Sequence, residues 1–130
     1  MKLSKQIFSI CLLAALSSPF IAQAAGGNWK IGRLYYRNVC TDCHKGHSCG
    51  AIAPSTKTKA EWAAYLDADS HAKGKDKVSY YVSREFRESI KRTNRAAAKF
   101  LKVPADKLML DIRAFVTHGA KDSDSPASCS

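Results

Sequence analysis

Apolar positions in this chain fall into two regimes. From Ile7 to Ile21 they form a predominantly apolar run, preceded by Lys2 and Lys5 and ending at Ala22-Gln23-Ala24. Farther on they recur at helical spacing. Leu108, Ile112, Phe115 and Val116 make one apolar stripe, which predicts a helix from Pro104, opened by Pro-Ala-Asp, to His118, with Gly119 as its stop. A second helix is expected from Ser83 to Thr93, with Phe86 and Ile90 inward and Arg84, Arg87, Lys91 and Arg92 largely outward. A third, shorter one is expected from Lys59 to Leu66. No segment alternates at the period of a half-buried strand, so the fold class expected is all-α with loops.

The first regime reads as a secretory signal peptide, because a basic start, a short apolar stretch and a small-residue end are what a signal peptidase needs. The run is too short and too closely followed by the cleavage pattern for a membrane span, so cleavage after Ala24 is expected to leave a protein with no stable membrane insertion. Three parts follow: a leader over 1–24, one small domain over 25–122 and a polar tail over 123–130. The exported chain of 106 residues is near the lower limit for a core that suffices alone, and a held cofactor would supply apolar interior. The expected compartment is periplasmic or extracellular.

Charge narrows the partners. Without the leader's two lysines, 19 basic side chains face 11 acidic ones, a net charge of +8. Nucleic acid is set aside by export, and no dense Lys/Arg block is present, which leaves an acidic protein surface as the favoured partner and a merely solvated surface as the alternative. The basic residues concerned are Lys57, Lys59, Lys73, Lys75 and Lys77 in the loop regions, then Arg84, Arg87, Lys91, Arg92 and Arg95 on a helical face.

Cys40-Thr41-Asp42-Cys43-His44 carries the chemistry. C-x-x-C-H is the attachment pattern of a c-type haem: two thiols three positions apart lie near one face of a helical turn and add to two vinyl groups, and the next imidazole points at the iron. C-x-x-C alone also suits a redox dithiol or half a zinc site, but neither needs the following His. One motif implies one covalent haem c, held by Cys40 and Cys43, with His44 as an axial iron ligand.

The surroundings resemble the class I c-type cytochromes. Gly32 and Tyr36, eight and four residues before Cys40, stand where that family places a glycine and an aromatic on a short helix facing the C-terminal helix. Gly50-Ala51-Ile52-Ala53-Pro54 looks like the family's loop whose proline carbonyl orients the proximal imidazole, a role that falls here to Pro54. The resemblance implies a small all-α domain wrapped around the haem and an electron carrier rather than an enzyme. It also implies that basic residues around an exposed haem edge steer an acidic redox partner.

The family pattern breaks on the distal side. The loop Thr93-Asn94-Arg95-Ala96-Ala97-Ala98-Lys99-Phe100 has no Met where the family carries its distal ligand. Three residues stand as distal candidates: His71 in a polar loop; Met109, the sole Met after the leader, inside the last predicted helix; and Asn94, near the family's ligand slot. A strong ligand implies a single-electron carrier. A weak or missing one implies binding of a small gas, oxygen or nitric oxide. His47 is tethered near the proximal side, and His118 has a structural reason at a helix end. Tyr80 and Tyr81 read as packing residues.

Cys49 and Cys129 remain, and in an oxidising compartment two such thiols pair. The bridge would close a loop of about 80 residues and stabilise the fold by about 4 kcal/mol in the chain-entropy model. Without it the tail composition reads as a frayed terminus.

Overall fold

The computed structural model describes residues 26–41, 53–72 and 74–127. Among these residues the secondary structure is entirely helical. The elements are α1 (Trp29–Tyr35), a π-helical turn (Tyr36–Cys40), a 3-10 turn (Pro54–Thr56), α2 (Lys59–Asp67), α3 (Val78–Tyr81), α4 (Arg84–Ile90), α5 (Arg95–Lys99) and α6 (Ala105–His118). None is long and apolar enough to cross a membrane, among the described residues.

The crossing of α1 and α6 organises the rest. Gly32 lies so close to α6 that a Cβ built on it would be 1.9 Å from the backbone oxygen of Asp111. Gly27 meets the carbonyl of Leu110 in the same way, at 2.2 Å. Two helix backbones approach this closely only where one carries no side chain. The start of α1 is pinned at the same place: the Asn28 backbone N–H donates to Asp111 Oδ1 at 2.7 Å, and the Asn28 side chain caps the amides of Lys30 and Ile31. Asp111 is fully buried, and its second support is Lys107 Nζ at 3.2 Å, one turn earlier on α6.

Helix ends follow local chemistry. Thr58 and Glu61 form a reciprocal capping box at the start of α2, Ser83 caps α4, and α6 runs between Pro104 and Gly119, the limits its sequence predicts. The core joins Leu108, Ile112, Phe115 and Val116 of α6 to Tyr35 and Val39, with Trp62 and Leu66 of α2 and Phe86 of α4. Tyr80 and Tyr81 pack against it, their rings in contact with Phe86.

Three features depart from the sequence expectations. The segment 93–100 is not all loop: Asn94 caps the five-residue α5 by accepting from the Ala97 amide. Residues 123–127, expected tied through a Cys49–Cys129 bridge and frayed without it, carry backbone ties that the sequence did not foresee: the Ala127 N–H donates to the Gly119 carbonyl at 2.9 Å and the Ser55 N–H donates to the Ala127 carbonyl at 3.3 Å.

Arg87 is the third departure. Expected outward on α4, it is fully buried, because its guanidinium satisfies carbonyls left open by neighbouring turns. Nε donates to Ser83 O at 3.0 Å, and Nη1 donates to Val103 O at 2.9 Å and to Phe100 O. Arg87→Met keeps the stem and removes these donors, so it should destabilise the holoprotein by about 3 kcal/mol in denaturant unfolding. Arg84→Met, at an exposed site, should change stability by no more than about 0.5 kcal/mol. Equal effects of the two would show that Arg87 is not an internal tie.

Candidate functional site

Cys40 closes the first helical unit. From Tyr36 to Cys40 the backbone widens to π geometry, and the Thr41 N–H reaches back to the Tyr36 carbonyl while the Thr41 hydroxyl donates to Arg37 O. Such one-turn widenings are frequent at functional sites because they turn a side chain away from the regular helical face. Cys40 ends half-buried, packed against the core beside Tyr36 and Val39. Cys43, His44, His47, Cys49 and Cys129 lie outside the described residues.

Tyr36 links this turn to α6. Its ring meets Phe115 with centroids 5.3 Å apart. Burial pushes its phenol well above the usual tyrosine range, and the neighbouring Cys40 and Tyr65 push it further the same way. The phenol is therefore held in its neutral form beside Cys40.

Pro54 is buried, and its carbonyl accepts the indole N–H of Trp62 at 2.7 Å. The same oxygen accepts the Lys57 N–H at 3.4 Å, closing the 3-10 turn, so both of its lone pairs have donors within the chain. The donor chemistry fits a covalent haem at Cys40, a half-buried thiol on an aromatic and aliphatic wall. Among the described residues no cluster of three or more His, Cys, Asp or Glu is disposed to hold a metal ion. An iron held by His44 needs no such cluster.

The three distal candidates occupy different settings. Asn94 has both ends of its amide engaged: Oδ1 accepts from Ala97 N at 3.0 Å and Nδ2 donates to Asn38 O at 2.8 Å. Met109 is partly buried within α6, packed against the core. His71 lies in the α2–α3 connection with its ring 4.9 Å from that of Tyr81, and the missing side chain of Gly74 makes room for its Nδ1. Tyr81 is itself held by α1, since the Tyr35 hydroxyl donates to its carbonyl at 2.6 Å. His118 is exposed at the end of α6 and stacks on Trp29 at 4.2 Å.

The loop that carries His71 is closed by Asp69. This residue takes a left-handed backbone, φ 48°, and its carboxylate accepts from both the amide and the hydroxyl of Ser79, at 2.7 and 2.6 Å. The Ser79 hydroxyl, then its amide, hold the Asp69 pKa below the ordinary aspartate range. A carboxylate depressed on folding stabilises above its unfolded pKa, and that contribution is lost as pH falls through the folded one. The Ser79 amide resonance should therefore titrate only in acid, below the ordinary aspartate range. Loss of that titration in Asp69→Asn would confirm the assignment, and a Ser79 amide unmoved in acid would contradict it.

Lys59, Lys75, Lys77, Arg84, Lys91, Arg92 and Arg95 are exposed. Lys57 lies over the rings of Trp62 and Tyr65, at 5.8 and 5.5 Å, and Arg87 is removed from the basic face by its burial. Lys73 lies outside the described residues. Sequence reasoning missed three residues that shape the site: Trp62, Asp111 and Arg87. Only Asp111 had a readable signal, an acid between Leu108 and Ile112 of the apolar stripe, four residues after Lys107.

Comparison with protein-family models, with curated proteins and with solved structures gives no match.

Proposed function

We propose that this protein is an exported c-type cytochrome that binds one haem covalently through Cys40 and Cys43, takes His44 as proximal iron ligand, and carries single electrons between redox proteins. The observation that carries the reading is the C-x-x-C-H motif, whose first thiol, Cys40, ends the π turn that follows α1, the helix that meets α6 at Gly32, with Tyr36 of the same turn set on Phe115. Bound haem supplies reversible one-electron exchange. The chain's own residues hold it and exclude water with the aromatic wall, and the resemblance gives the role of orienting the proximal imidazole to the Pro54 carbonyl, which also accepts from Trp62 and Lys57. No paired carboxylates or activated nucleophile accompany the motif in the sequence, which favours a carrier over an enzyme.

Of the distal candidates, Asn94 already serves as cap and cross-tie and Met109 serves as packing, which favours His71. A weak distal ligation would turn the protein into a binder of oxygen or nitric oxide. The exposed lysines and arginines suit an acidic redox partner. The intrachain pairing of Cys49 with Cys129 is supported by the meeting of Ser55 and Ala127. The two residues from Ala127 to Cys129 and the four from Cys49 to Ala53 together reach up to about 20 Å.

A potentiometric titration of the haem absorption bands tests the carrier function. One reversible wave of a single electron is expected. Absence of a redox-active haem band would sink the reading.

A further inference from the structure

We infer that the outward face of α1 and helix α5 form one docking surface for a protein that presents clustered carboxylates around an apolar pocket, with Leu34 as the anchor and Arg37, Arg95 and Lys99 as the charges that meet the carboxylates. Its use in electron exchange rests on the haem reading above.

Two stretches of the chain carry positive charge with no acid among them. Residues 26–41 hold Lys30, Arg33 and Arg37, and residues 89–105 hold five bases, Arg95 and Lys99 among them. The fold joins the two stretches. Asn94, the cap of α5, donates from Nδ2 to the Asn38 carbonyl at 2.8 Å, and the Tyr35 and Phe100 rings meet edge to face with centroids 5.1 Å apart. Arg37 and Arg95 each adjoin one member of that asparagine pair, and both are exposed. The surface therefore borders the π turn that ends in Cys40.

Elsewhere bases stand beside acids. Arg84 and Lys91 pair with Glu88, Lys107 with Asp111 and Arg113 with Asp67. Lys57 and Lys121 lie within electrostatic reach of Glu61, and Lys77 of Asp69. Among the described residues no ion pair holds Arg33, Arg37, Arg92, Arg95 or Lys99. This arrangement works against the local fold. Arg95 opens α5, where the helix dipole favours an acid, and the first turn has none. Lys99, four residues on, shares its helical face, a like-charge pairing that weakens a helix. Repulsion with no internal counter-charge is relieved when a partner brings carboxylates.

Leu34 distinguishes a docking surface from a solvated one. It is 53 % exposed, one of two large apolar side chains left so open among the described residues. Lys30, Arg33 and Arg37 share its side of the helix, and Asn38 Nδ2 donates to its carbonyl at 2.7 Å. An apolar centre with a charged rim is the layout of a protein interface. A lipid surface would need a broad apolar face along a helix, and here a single leucine stands among bases.

The test uses the full-chain, haem-loaded protein, with covalent haem established first by mass. Poly-L-glutamate and a glutamate–tyrosine copolymer are the docking probes, followed by backbone amide shifts. Ferricyanide is the redox probe: one electron leaves the ferrous haem and reduces it to ferrocyanide. Polyglutamate should shift amides in 33–38 and 92–99, and salt should reverse the shifts. Replacing Arg37, Arg95 and Lys99 together with glutamine should abolish that response, slow oxidation about tenfold at low ionic strength, and leave the unfolding temperature no lower. Replacing Lys59, Lys75 and Lys77 with glutamine removes the same charge and should change both far less. The copolymer should bind more tightly than polyglutamate, a gain that Leu34→Ser removes. Equal effects of the two triple variants would overturn the surface by assigning the attraction to net charge. A copolymer no tighter than polyglutamate would overturn the Leu34 anchor. Sedimentation with phosphatidylglycerol vesicles through the same residues, with no response to either polymer, would overturn a protein partner in favour of a membrane. A preparation without covalent haem would overturn the haem reading and the surface's role in electron exchange, while the polymer shifts still decide whether it docks acidic chains.

Discussion

Replacing Cys40 and Cys43 together with alanine will yield an exported protein whose mass lacks the increment of one haem and whose denatured form retains no colour. Each thioether ties a haem edge to the backbone, so without the two sulfurs the group is held only by iron ligation and apolar contact. In the proposed reading that group also supplies interior volume to a domain near the lower end of the size at which a core alone suffices. The double variant should therefore unfold far more readily than the parent and be depleted by proteolysis in the exporting cell. Cys40→Ala alone should keep one thioether at Cys43 and an intermediate stability. A double variant that still carries covalent haem would place the attachment elsewhere in the chain.

Gly32→Ala carries the second large effect. The added methyl would sit 1.9 Å from the Asp111 carbonyl oxygen, and that partner is helix backbone, which cannot step aside as a flexible side chain would. The helices must separate, and the ring contact of Tyr36 with Phe115 and the buried bond from Asn28 N–H to Asp111 loosen together. A cost of about 3 kcal/mol is expected, at the upper end for an overpacked core. Denaturant unfolding of the holoprotein would show it as a lower midpoint with little change in slope. The crossing also aligns the π turn that ends in Cys40, so the variant should incorporate haem in lower yield. Unaltered stability would mean that the two helices do not cross at this residue.

What the sequence made legible tracks the length over which a physical signal repeats. Helix α6 was readable to its ends because four apolar positions repeat over three turns between a proline and a glycine. The close approach at Gly32 was readable only through the resemblance, since a lone glycine in a helix has many explanations. Helices α3 and α5, at four and five residues, are too short for periodicity to register. In α5 the cap was nonetheless present in Asn94 followed by Ala-rich sequence, the pattern of a helix start rather than of a ligand. Arg87 was misplaced because a helical wheel assigns charge to solvent, whereas a guanidinium has five donors and can end among carbonyls that turns elsewhere leave open. The tail was read as tied by a Cys49–Cys129 bridge and loose without it. Its order comes from backbone hydrogen bonds to Ser55 and Gly119, which no side-chain pattern encodes. For the site, the thiols and imidazole are plain in five consecutive residues, while the distal candidates His71, Asn94 and Met109 are spread along the chain with no short motif to choose among them.

The visible absorption spectrum of the purified haem-loaded protein, oxidised and reduced, with and without carbon monoxide, tests the central claim most directly. A low-spin spectrum that carbon monoxide does not shift is the predicted result: a strong protein ligand fills the distal position, and the protein is an electron carrier. A high-spin spectrum that shifts on adding the gas would contradict the carrier and identify a binder of small gases.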